Sequence, residues 1–155
     1  MTKSPAARGR AAEWRGSRDC GVGVGLYGEP HAHAMDVDML LDEGIDLFNR
    51  RYFFEAHDVW EEIWQKERGG ARDFFKGLIH LAGGFHHYTN GNYIGSAALL
   101  ASGMGYLRPH APERMGLDVA AILSEVEAQH ARIVRLRDGR TETEDVQFPT
   151  IVRRR

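Results

Sequence analysis

The chain has 155 residues, 43% hydrophobic and 27% charged, the balance of one globular domain long enough to bury its own core. No apolar run approaches the ~18 residues of a membrane span, and the N-terminus lacks the apolar stretch of a signal peptide, so neither membrane insertion nor secretion is indicated. The net charge of -2 is unevenly spread: residues 36–150 carry 19 acidic against 12 basic side chains, which repels phosphate backbones and argues against nucleic-acid binding by the folded part.

Residues 1–34 are rich in Gly, Ala and Arg and have no apolar period, so they are expected to be a disordered N-terminal segment. Within them Gly23, Gly25 and Gly28 match the G-x-G-x-x-G spacing, but that fingerprint needs a strand before it and a helix opening on it. Neither pattern is present, so no dinucleotide site is expected. Cys20, the only cysteine, lies in the same segment; it excludes an internal disulfide and a thiolate metal cluster and makes a reducing cytoplasm the expected compartment. Ordered patterning begins near Met35, and a start of translation there is one expectation.

From Asp36 onward the apolar period is helical. A first helix is expected over about 36–48, with Leu40, Leu41, Ile45 and Phe48 inward. A second covers about 53–68 and stops at Gly69-Gly70. A third runs over about 71–89 to the "TNGN" turn, and a fourth over about 92–107 to Pro109. After the loop "RPHAPERMG", a fifth runs over about 118–137, with Gly139 beyond its end. The segment "VQFPTIV" reads as an extended apolar tail lying across the helices, and the terminal Arg153, Arg154 and Arg155 as solvated. The fold class is therefore all-α: a single bundle-like domain of about five helices over residues 35–138, with an extended C-terminal tail over 139–155.

The second helix carries the least expected polar groups. At ~100° per residue, Phe53, Ala56, Trp60, Ile63 and Trp64 form one stripe, with Trp64 expected as a core anchor. His57 and Glu61, four apart, stack at the edge of that stripe between Phe54 and Trp64. Asp58, Glu62, Gln65 and Lys66 point to the opposite, solvated side. A carboxylate bordered by aromatics is costly unless paired. One reading is that His57 and Glu61 satisfy each other as a structural pair. The other is that imidazole and carboxylate form half of a site for a divalent metal such as zinc or iron.

The third helix offers further ligands. Its apolar arc contains Phe74, Phe75, Leu78, Leu81, Ala82 and Phe85, and His86 inside that arc reads as a core histidine. His80 and His87 share the opposite face with Asp73, beside Gly77 and Gly84. Each glycine inside a helix costs about 1 kcal/mol relative to Ala. A second helix in close approach would offset that, so this face is expected to be covered. The candidate metal ligands are thus His57, Glu61, His87 and His80. On the fifth helix Glu127 and His130 have Glu-x-x-His spacing, but di-iron bundles use that motif twice, so a ferritin-like centre is not expected and His130 reads as core. No G-x-S-x-G, H-E-x-x-H or P-loop is present.

Together "FNRRYFFEAHDVWEEIW", "FFKGLIHLAGGFHHYTNGN" and "GSAALLASGMGYL" resemble the bacterial and archaeal domain of unknown function numbered 309, a family of small all-helical proteins. The resemblance spans about residues 38–108. It rests most on His-x-x-x-Glu-x-x-Trp, matched by His57, Glu61 and Trp64, with the Gly77-Leu78-Ile79 run and the Gly91-Asn92 pair beside it. It implies an all-helical fold and a His-Glu motif suggested to bind metal, without a named activity. His87 fits the family pattern; His80 stands where the family commonly has Gln.

Two functions follow as expectations. The first is a metal-binding or metal-dependent helical protein centred on His57 and Glu61, for which hydrolysis by a metal-activated water would be the simplest chemistry. The second is a non-catalytic module that acts by interaction, as a homodimer for example, with the His-Glu pair structural. An anion-binding adaptor working through its Arg-rich ends ranks third.

Overall fold

A computed structural model describes residues 30–155, with side chains from residue 36 onward. The glycine fingerprint and Cys20 lie outside the described residues. Five helices follow in order: α1 Pro30–Asn49, α2 Phe53–Lys66, α3 Arg72–Thr89, α4 Tyr93–Leu107 and α5 Val119–Arg137. They form an all-α bundle-like domain. Helix α1 starts at Pro30, ahead of the expected Asp36, because Pro fits the first turn of a helix, where its missing N–H is not needed. A short 3-10 turn, Arg108–His110, and a hairpin of β1 (Glu113–Arg114) and β2 (Leu117–Asp118) join α4 to α5. Period-2 reading does not detect strands of two residues. The hairpin turn places both Met115 (φ 52) and Gly116 (φ 81) in the left-handed region, and Glu113 accepts the Gly116 amide at 2.6 Å.

Three helix ends are closed by the same backbone device. At α3 the Asn92 amide reaches the His87 carbonyl and the Gly91 amide reaches that of Tyr88, with Gly91 at φ 76. Gly139 closes α5 in the same way. At α1 the left-handed position is taken by Arg51 (φ 69), a residue with no glycine-like signal in the sequence. Asn92 and Asp118 cap the starts of α4 and α5 by accepting the amides of Gly95 and Ala121.

The core is aromatic. Phe48, Phe53, Trp60, Phe74, Phe75 and Phe85 are almost fully buried, with Phe48 in contact with Phe53, Trp60 and Phe85. Trp60 is the tryptophan anchor. It is 0% exposed, its indole lies against Gly44 of α1, and its N–H donates to the Leu41 carbonyl at 3.4 Å. A Cβ on Gly44 would stand within 2.5 Å of the indole ring. Trp64, expected as a core anchor, is only half-buried: the Arg72 guanidinium lies 3.9 Å and the Lys76 ammonium 4.3 Å from its ring centroid. Its position at the stripe edge makes it a platform for cations instead. His130 is half-buried, and Gln129 takes the inward place, accepting the Gln147 amide at 2.8 Å.

The tail lies across the helices as expected. Phe148 packs on Phe53, Phe85 and Tyr88, and Ile151 is buried. Asn49 both donates to and accepts from the Ile151 backbone, at 2.8 Å each way. The terminal arginines are not merely solvated: Arg153 pairs with Asp38 and Asp42 and donates to the Met115 carbonyl, and Arg155 pairs with Asp42.

Helix α3 is covered on both faces, by α2 and by α4. A Cβ on Gly77 would lie 2.6 Å from Leu107 Cγ and 3.1 Å from the Gly103 carbonyl oxygen; one on Gly84 would lie 2.7 Å from Leu100. The glycines of α3 thus let α4 approach at backbone distance.

Two predictions follow from this packing. Trp60→Ala should cost about 3–5 kcal/mol in denaturant unfolding, while Trp64→Ala should cost under about 2 kcal/mol. A larger loss at Trp64 than at Trp60 would contradict the assignment of the anchor. Gly77→Ala should destabilise by about 1–3 kcal/mol, because the added methyl meets Leu107 and the α4 backbone; unchanged stability would contradict the close approach.

Candidate metal centre

Helix α2 sets His57 and Glu61 on successive turns along the flank that faces α3. Phe54 lies on one side of His57, with ring centroids 6.0 Å apart, and Phe54 also meets His86 at 5.3 Å. The His57 side chain is 8% exposed and that of Glu61 12%. His57 Nε2 stands 3.6 Å from Glu61 Oε2, and His57 Nδ1 stands 3.2 Å from Asp58 Oδ1. One imidazole therefore has a carboxylate at each nitrogen. Among the described residues His57, Asp58 and Glu61 form a group whose candidate ligand atoms all lie within 4.8 Å of one another.

Asp58 was not among the residues singled out from the sequence. A helical wheel puts it on the solvated side, and its side chain is indeed 47% exposed. Adjacent residues diverge by ~100°, yet a short carboxylate can bend back to the ring of its neighbour. No sequence pattern signals that contact.

The third helix places its histidines in three different settings. His86 is buried in the core arc, as expected, and its Nε2 accepts from the Asn90 amide at 3.2 Å. His87 is half-buried at the end of α3, and its Nδ1 stands 3.2 Å from Asn92 Nδ2. The Asn92 oxygen is already occupied by the Gly95 amide, so Nδ2 is the group facing His87 and donates to it. His80 is half-buried against α4: its Nδ1 is 2.8 Å from Ser102 Oγ, and its ring meets Tyr106 edge-on at 5.4 Å.

Burial holds the His80 imidazole down at about 4, with Lys76 and His57 beside it acting in the same direction. Burial also lowers His86, helped by His87 and His57, and burial alone lowers His87. The field of His57 thus reaches both His80 and His86 across the α2–α3 seam. All three α3 imidazoles are neutral at pH 7, the state in which a ring nitrogen can donate a lone pair to a metal.

The donor set fits a divalent cation of the borderline kind. Imidazole and carboxylate together suit zinc and iron, and two donors about 2.0–2.2 Å from zinc, opened by a tetrahedral or slightly wider angle, stand roughly 3.3–3.6 Å apart. Nε2 of His57 and Oε2 of Glu61 are separated by that span, and the distance is too long for a direct N–H···O hydrogen bond. The Glu127 and His130 spacing plays no part here: Glu127 is exposed on α5 and His130 half-buried. Among the described residues no helix is long and apolar enough to cross a membrane.

Comparison with known proteins bears on this arrangement. Over 96 residues the chain is 27% identical to the uncharacterized protein YpuF of Bacillus subtilis (strain 168), across 60% of this chain and 55% of that protein. The chain thus matches about half the length of that relative. No solved structure matches the chain. Residues 41–99 match the family model described as Domain of unknown function (DUF309). That segment holds α2, α3 and the start of α4, with His57, Asp58, Glu61, His80 and His87, and it is over this segment that the chain is similar to the DUF309 family.

Proposed function

We propose that this protein binds a divalent cation, zinc or iron, at the seam between α2 and α3, with His57 and Glu61 as ligands and a further ligand from His80 or His87. The observation that carries the reading is the separation of His57 Nε2 from Glu61 Oε2, 3.6 Å, which suits two donors sharing one cation better than it suits a hydrogen bond. Asp58 completes the case. Its carboxylate can accept the His57 Nδ1–H, which fixes the tautomer with the Nε2 lone pair turned toward Glu61. The single cysteine is consistent with a reducing cytoplasm as the compartment, and the acidic body speaks against nucleic acid as the partner.

A second reading has its own support. A buried imidazole with a carboxylate at each nitrogen is also what a protonated His57 would require, which makes the trio a structural ion cluster in a module that acts by interaction.

Titration of untagged protein with zinc, ferrous iron and manganese separates the two. The metal reading expects about one equivalent bound and a rise in melting temperature. Glu61→Gln should then abolish both, while changing the stability of the metal-free protein by only about 1 kcal/mol. Wild-type protein that binds none of the three cations and shows no thermal shift would leave the structural cluster as the function of His57 and Glu61.

The titration of His80 gives a prediction independent of metal. Its folded value, about 4, lies below the ordinary 6.5. Between those values the unfolded chain holds the proton and the folded chain does not, so stability falls as pH drops from about 6.5 toward 4. His86, His87 and His110 are lowered as well and act with the same sign. Melting temperature of the metal-free protein should therefore decline through this window. His80→Gln, which removes one proton-binding group, should flatten the decline; an unchanged slope would show that His80 is not held neutral.

A further inference from the structure

How many ligands the protein supplies to a cation, and from which side, is set by one turn of α2. Two donors of one zinc or iron ion, each about 2.1 Å from it, stand at most about 4.2 Å apart. The candidate ligand atoms of His57, Asp58 and Glu61 all lie within 4.8 Å of one another, so a small rotation of the side chains brings the three onto one cation. Asp58 has the freedom to make that rotation: its side chain is 47% exposed, against 8% for His57 and 12% for Glu61. Its contact with His57 Nδ1, at 3.2 Å, uses Oδ1, and a carboxylate has a second oxygen. Among the described residues the group holds no side chain of α3. His80 meets Ser102 of α4 instead, and His87 meets Asn92.

The three residues span about 6 Å along the helix axis. A helix that supplies every protein ligand from a single turn covers one side of the ion and leaves the other side to solvent. Exposure marks where that open side lies, because it rises from His57 and Glu61 to Asp58. We propose that Asp58 is the third ligand and that α2 alone holds the cation, with the remaining positions open past Asp58 to water and to a small oxygen-donor ligand that displaces it. This rests on the metal reading given above and takes the third ligand from α2 rather than from α3. Structural zinc sites are closed by four protein ligands, whereas sites that keep three and an exchangeable position are those that act on a bound molecule. Two carboxylates already balance the charge of a divalent cation. The open positions therefore suit a neutral or singly charged oxygen donor better than a phosphate dianion, which the acidic body would also repel.

Manganese serves as the probe, because its unpaired electrons speed the relaxation of protons in any water bound to it. Full-length wild type loaded with manganese should enhance water proton relaxation, and acetohydroxamate, a singly charged oxygen chelate, should quench the enhancement by displacing that water. Asp58→Ala should weaken manganese binding by about 10-fold or more, with the melting temperature of the metal-free protein little changed. At saturating manganese the same variant should relax water more strongly per bound ion than wild type, since water takes the position that Asp58 vacates. A residue that only orients His57 would leave that value unchanged. His80→Gln and His87→Gln should bind manganese as tightly as wild type. An unchanged relaxation per ion in Asp58→Ala, a manganese-loaded wild type without exchangeable water, or loss of binding in His80→Gln or His87→Gln overturns the proposal while leaving the His57–Glu61 site standing. Wild-type protein that binds no zinc, iron or manganese overturns both.

Discussion

The structure depends on α3 having no free face. Phe74, Phe75, Leu78 and Phe85 are buried, Phe85 against Phe48 of α1 and Phe53 of α2, while Gly77 and Gly84 admit Leu107 and Leu100 of α4. A central helix in a small bundle needs two different surfaces, one of large side chains filling a core and one flat enough for backbone contact. The glycines supply the second, and their cost in helix propensity is offset by the packing they permit.

That constraint determines where polar chemistry can exist. Histidines on α3 cannot be solvated in the ordinary way, so each is bound to a neighbour: His80 to Ser102, His86 to Asn90, His87 to Asn92. Burial keeps the three of them neutral. On α2 the complementary arrangement holds, with two carboxylates around the buried His57. At α2 one imidazole thus meets two carboxylates, and the side chains of His57 and Glu61 are mostly withdrawn from water. Such a surround strengthens any attraction between a cation and its ligands and penalises any group left unmatched.

The tail stabilises the domain by packing on α1, α2 and α3. Asn49 holds the backbone of Ile151, Phe148 completes the aromatic cluster, and Arg153 ties α1 to the hairpin through Asp38, Asp42 and Met115. The cationic C-terminus neutralises the acidic face of α1, so its arginines are engaged inside the fold and the case for an anion-binding adaptor is weakened.

Much of this was legible in the sequence because it depends on local periodicity. The five helices, the stops at Gly69-Gly70 and Gly139, the inward position of His86 and the stacking of His57 on Glu61 follow from the 3.6-residue repeat and from the chemistry of glycine. The paired glycines of α3 also announced a second covered face. What the sequence could not supply is anything set by the angle or depth at which elements meet. Trp60 and Trp64 lie on one stripe, and only the position of α1 over Gly44 makes the first an anchor, while Arg72 and Lys76 make the second a platform for cations. Asp58 looked solvated because helical spacing describes where a Cβ points and not where a carboxylate can fold back. Ser102 carried no signal at all, since its value lies in a histidine on another helix, 22 positions away in the chain. The sequence by itself determined the helices and the stacking of His57 on Glu61. The tertiary structure alone decided which of the polar side chains stand together, His57 with Asp58 and Glu61 but His80 with Ser102, because such contacts depend on how side chains fold back and how helices meet.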